Sequence, residues 1–172
     1  MRRLTSCFVF VTFIFLAFAG LAQDSSSLAA ATCNFDADKQ LMAEYQPVSV
    51  NPKKPLFGHE IPAGKVWAPG GKPITLFTNT PVEIGGRQLA PGAYTMFVIP
   101  TAKQWMLIVS KSTDMSGKYD ETMDLVRVPM ESGELPSPEQ TFKVSFEHVA
   151  QDQCSLRLDI ATMANGALFK EK

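Results

Sequence analysis

The chain has 172 residues, 16 basic and 17 acidic, with a formal net charge of −1 and 45% hydrophobic residues. That length makes one domain, able to bury on the order of 70% of the surface its unfolded chain exposes. Charges of both signs are scattered, which excludes the electrostatic footprint of a protein that binds nucleic acid or anionic membrane.

The first 22 residues read as a targeting segment. Arg2 and Arg3 precede an uncharged apolar stretch from Phe8 to Phe18, and the small residues Ala17, Ala19, Gly20 and Ala22 follow at the spacing a signal peptidase needs. Cleavage is expected after Ala22, with Ala19 as the second position. The alternative is an uncleaved N-terminal anchor, since Leu4 to Ala22 is just long enough to span a bilayer. Removing 22 of the 172 residues leaves 150, and without Arg2 and Arg3 the balance is 14 basic against 17 acidic, or −3. No later apolar run reaches a membrane-spanning length. The mature chain keeps Cys33 and Cys154, an even count in an exported protein, and an oxidising compartment favours their pairing. Two free thiols are the alternative.

Residues 23–46 are expected to form a lead-in outside a β-domain that runs from 47 to 172. Gln23 to Thr32 is small and polar. Asn34 can cap a short helix over Asp36 to Tyr45, with Asp36 and Asp38 in the first turn. Val48 to Asn51 reads as a strand. Pro52 to Pro73 is an irregular connection rich in proline and glycine, a composition that keeps it out of a sheet interior. Strands are then expected at Ile74–Thr80, Val82–Ile84, Arg87–Leu89, Ala93–Ile99, Gln104–Lys111 and Met123–Met130. Gly85-Gly86, Pro91-Gly92 and Pro100-Thr101 punctuate the stretch from Val82 to Lys111. In Thr141 to His148, Phe142, Val144 and Phe146 alternate with Lys143, Ser145 and Glu147, the mark of a half-buried strand. Gln153 to Ala161 repeats the pattern. Asn165-Gly166 signals a tight hairpin, with Ala167 to Lys170 as a short edge strand. About eight to ten short strands at this spacing predict a mainly β, antiparallel two-sheet sandwich, Ig-like or jelly-roll-like, with an open barrel as the alternative.

Several of these segments carry a resemblance. Ile61-Pro62-Ala63-Gly64-Lys65-Val66-Trp67 is similar to a "PYGKVWR" segment, and Ile84 to Tyr94 to "IGGKKLPAGTYSLFTIP", in the bacterial family catalogued as domain of unknown function 2911. Trp105 with the run to Lys111, Tyr119-Asp120-Glu121 before Leu125-Val126-Arg127-Val128, and Phe142 to Phe146 follow in the family's order. The resemblance covers about Val48 to Asp159 and implies an exported, mostly β bacterial domain without an established activity. After the tryptophan the family continues with Arg and a Gly-Ala-Asn-Glu run. This chain reads Ala68-Pro69-Gly70-Gly71-Lys72-Pro73 instead, so that polar cluster is lost or altered.

The chemistry-bearing motifs are weak. Gly58 to Val66 has five residues between its glycines where a phosphate loop needs four, and Val66 stands where the metal-binding hydroxyl belongs. His59, Glu60 and His148 match no zinc spacing. Asp36-Ala37-Asp38 begins like a calcium loop, but Leu41 and Pro47 replace the required glycine and glutamate. The scattered methionines suit gap-filling. No G-x-S-x-G elbow exists, and Asp120, Glu121 and Asp124 fit a solvated loop edge as well as an acid/base pair. What is left is Trp67, a flat apolar face in a Pro/Gly-rich loop, beside Lys65, a charged donor. The competing reading makes Trp67 an end plug of the sandwich with Lys65 snorkelling over it. The expectation is a secreted or periplasmic binding or envelope-interaction module without a cofactor or metal, its ligand a glycan, a peptide or an envelope protein. The alternative is an extracytoplasmic hydrolase with His59 or His148 as base.

Overall fold

The computed structural model describes residues 27–51 and 53–172, so the expected targeting segment lies outside the described residues. Among the described residues, ten strands form two antiparallel sheets. In chain order they are β1 (Ala29–Asp36), β2 (Lys39–Tyr45), β3 (Ile74–Thr78), β4 (Val82–Ile84), β5 (Arg87–Leu89), β6 (Gly92–Ile99), β7 (Met106–Ser110), β8 (Asp124–Pro129), β9 (Glu131–Ala150) and β10 (Gln153–Glu171). The larger sheet runs β1-β2-β3-β6-β7-β8 and the smaller β5-β4-β10-β9.

Period-two patterning builds the core. Leu76, Met96, Val98, Leu107 and Val109 point inward from the larger sheet, and Val82, Ile84, Phe142, Leu156, Leu158 and Phe169 from the smaller. All join one buried cluster. Phe97 and Ile108, opposite each other in β6 and β7, are buried outside that cluster, on the outer face of the larger sheet.

Cys33 of β1 and Cys154 of β10 form a disulfide across 121 residues of sequence, with their Cα atoms 6.3 Å apart. It ties an edge strand of one sheet to an inner strand of the other. β9 is tied as well, because Val50 N–H donates to Gln140 O and Phe142 N–H donates to Val48 O. The expected Val48–Asn51 strand is reduced to this short bridge at Ser49 and Thr141.

The helix expected over Asp36 to Tyr45 is instead the turn and second strand of the β1–β2 hairpin. Leu41, Ala43 and Tyr45 are buried while Met42 and Glu44 are not, an alternation of two that no helix satisfies. Asp36 accepts a hydrogen bond from Ala37 N–H, so the acidic residues that resemble a helical first turn shape a β-turn. The sheet therefore begins at Ala29, within the segment expected to be a lead-in.

The hairpin expected at Asn165-Gly166 is displaced. Glu171 N–H donates to Asp152 O at 2.8 Å, whereas a straight strand of that length would hold them about 60 Å apart. β10 doubles back around Ala161, whose φ of 50° is the one positive value at a non-glycine among the described residues. Asn165 is buried as a cross-link. Its amide donates to Leu158 O, and its oxygen accepts from Ser132 Oγ at 2.8 Å. β9 widens opposite the same bend, where Ala161 pairs with Glu139 and Met163 with Glu134, and Pro136 and Pro138 fall in the bulge.

Replacing both Cys33 and Cys154 by serine should cost on the order of 4–5 kcal/mol in the chain-entropy model, read as a lower urea midpoint that reductant reproduces in the native protein. Ala161→Gly should raise stability by about 1 kcal/mol by relieving left-handed backbone strain, read as a higher melting temperature.

Candidate functional site

A trough of about 520 Å³ lies on the outer face of the smaller sheet, where β4, β8, β9 and β10 meet. Alternation explains its floor. Val144 and Phe142 face the core on one phase of β9, which puts Val149 on the wet phase, and Ala167 and Phe169 face the core from β10, which turns Leu168 outward. Val149 and Leu168 are 48% and 47% exposed, two of the three large hydrophobics so exposed among the described residues. Val128 and Pro129 close one side, and the rim carries Glu83, Glu131 and Lys170. Lys170 pairs with Asp152 at 3.4 Å and Glu83 with Lys172 at 2.7 Å. Glu131 has no ion-pair partner among the described residues. The sequence signal for the trough was an apolar residue on the polar phase of a strand at Val149 and Leu168, which pattern reading passes over.

Lys65 and Trp67 lie elsewhere. Lys65 is exposed, and Trp67 is half-buried. Trp67 extends the pairing of β6: its N–H donates to Val98 O at 2.8 Å and its carbonyl accepts from Val98 N–H at 3.1 Å. Its ring meets Phe142 at 5.5 Å and Trp105 at 6.2 Å, both edge-on. Trp105 is fully buried, and its indole N–H has no acceptor among the described residues. Neither Lys65 nor Trp67 lines the trough. The segment Ala68 to Pro73, where the family pattern is lost, interlocks with the loop after β7, because a side chain on Gly117 would collide with Gly71 O.

His59 and His148 are both exposed and stand on separate elements. Neither side chain takes part in a hydrogen bond among the described residues. The described residues also contain no group of three or more His, Cys, Asp or Glu placed to hold a metal ion.

The acidic trio before β8 is committed locally. Asp120 accepts from Thr122 N–H and Oγ1–H, and those bonds hold its carboxyl below the usual range. Asp124 Oδ2 accepts from Tyr119 Oη at 2.6 Å and from Arg127 Nε at 2.8 Å. Arg127 Nη2 donates to Tyr119 Oη at 2.7 Å and to Glu121 Oε1 at 2.8 Å. The Tyr119 ring stands edge-on to Phe97 at 5.2 Å. The cluster is a clasp that holds the 111–123 loop over the outer face of the larger sheet. Burial, reinforced by the Asp124 carboxylate, pushes the Tyr119 phenol up to about 12.

These observations define a disulfide-clamped, two-sheet β-domain with a trough on its smaller sheet. A family model described as Protein of unknown function (DUF2911) matches residues 26–164, and the chain belongs to that family. No curated protein and no solved structure matches it.

The raised Tyr119 pKa means the folded state holds its proton where the unfolded chain, titrating near pH 10, has released it. Its contribution is complete below pH 10 and is lost as pH rises toward 12. Tyr119→Phe should cost about 1 kcal/mol at neutral pH and flatten the stability decline between pH 10 and 12, measured by urea unfolding at each pH.

Proposed function

We propose that this protein is a non-catalytic binding module working outside the cytoplasm and that its ligand occupies the trough on the smaller sheet. The observation that carries this reading is the coincidence of the trough with two exposed apolar side chains, Val149 and Leu168. Scattered surface hydrophobics are ordinary, but apolar residues gathered in one concave patch with a polar rim mark an interaction site. The volume of about 520 Å³ falls within the range of ligand sites. Export is supported by the basic-then-apolar N-terminal pattern and by a disulfide, which persists in oxidising compartments. No helix among the described residues is long and apolar enough to cross a membrane.

Lys65 and Trp67 form a second proposed surface, where the open part of the indole and the Lys65 ammonium are available to a glycan. Packing of the ring on Phe142 and Trp105 supports the plug reading alongside it.

The trough and the hydrolase alternative separate cleanly. A binding module should be stabilised by its ligand in a thermal-shift screen of peptide and glycan collections. The His59→Ala, His148→Ala double variant should keep that affinity within about twofold. Turnover of a hydrolysable substrate that disappears in the double variant would replace this proposal with the enzymatic one.

A further inference from the structure

We infer that the trough recognises an extended polypeptide segment bearing an apolar residue next to a Lys or Arg, an inference that rests on the binding reading above. Three features of the site select this chemistry.

The first is an interrupted ladder. Gly166 pairs with Glu131 of β9 and Phe169 pairs with Ile84 of β4, while Ala167 and Leu168 fall between and pair with neither strand. Consecutive residues of a strand aim their N–H and C=O groups to opposite sides. Lys172 N–H donates to Pro81 O and Glu171 N–H to Asp152 O, so by alternation Leu168 is the residue whose main-chain N–H faces the gap between β4 and β9, at the trough floor. A peptide carbonyl can accept from that N–H, whereas a hydrocarbon tail offers no acceptor.

The second is the floor itself. Val149, Leu168 and Pro129 give aliphatic surface, and no aromatic ring lines the trough. An aromatic face on which a sugar ring could stack is therefore absent from the trough. An aliphatic floor suits one Leu, Ile, Val or Phe side chain of a partner.

The third is charge. Lys170 and Glu83 are answered by Asp152 and Lys172. The net charge left on the rim is the carboxylate of Glu131. A cation beside the apolar residue would complement it and an anion would be repelled.

The test uses the folded mature chain and a positional-scanning library of N-acetylated, C-amidated hexapeptides, with a glycan array run in parallel. Enrichment of an aliphatic or Phe residue adjacent to Lys or Arg is the expected result. Leu168→Glu puts a charge on the floor and should weaken the selected peptide at least about tenfold. Because Leu168 is exposed, that variant should keep its melting temperature. If Leu168→Glu does not fold, Glu131→Lys decides, since it should reverse the preference from basic to acidic neighbours. Peptide binding indifferent to both changes would overturn the site. Glycan binding without peptide binding would overturn the partner class and leave the binding module standing, whereas silence on both arrays would sink the binding reading itself. Concentration-dependent dimerisation abolished by Leu168→Glu would show that the trough is a self-association face and would overturn the peptide assignment.

Discussion

The return of β10 upon itself, closed by the Glu171 amide on the Asp152 carbonyl, is the constraint on which the rest of the molecule depends. It lets one continuous segment supply both Leu156 and Leu158 on the outgoing leg and Ala167 and Phe169 on the returning leg to the same core. It brings Cys154 to an inward position facing the larger sheet, where Cys33 of β1 meets it. It also forces Leu168 outward, because Ala167 and Phe169 occupy the inward phase on either side. The bend is held locally by Asn165, which reaches back to Leu158 and is reached by Ser132 from β9. A strained left-handed alanine at the tip is tolerated because those surrounding bonds determine the bend independently of its preference.

Around that element the sandwich is secured at three places by different chemistry. The disulfide joins β1 to β10 covalently. Main-chain bonds from Val48 and Val50 cover part of the β9 edge, which would otherwise be open to foreign strands. Charge-assisted bonds centred on Arg127 hold the 111–123 loop down on Phe97. The two large irregular connections are thereby anchored to the sheets. A rigid scaffold of this kind leaves little ordering cost for a partner that adds to its surface.

Much of the fold was legible because strands write a simple code. Val82–Ile84 and Arg87–Leu89 stand where the glycine pair between them placed them, and the alternation of Phe142, Val144 and Phe146 named the buried face of β9 correctly. The N-terminal hairpin was misread because Asn34, Asp36 and Asp38 cap helices and shape turns equally well, and only the two-residue burial rhythm from Leu41 to Tyr45 separates the cases. Asn165-Gly166 misled for a related reason, since an asparagine that bonds backbone groups in a tight turn can do the same across a buried bend. The Cys33–Cys154 pair was readable from the even count of cysteines after the expected targeting segment. Neither Lys65 nor Trp67 predicted the trough. Its floor depends on Val149 and Leu168 occupying the wrong phase of their strands, and its gap depends on how two ladders end against a third strand, which is a fact of assembly that no local pattern contains.

Recognition of an extended peptide requires that the Leu168 amide stand open at the interrupted ladder until a partner's backbone meets it. Amide hydrogen exchange at Ala167 and Leu168, measured free and with the peptide selected from the library, tests that point directly. In the free protein the amide that faces the gap should exchange much faster than those of Gly166 and Phe169, and it should become protected when the peptide binds. An amide already protected without peptide, or one left unprotected at saturation, would contradict the account.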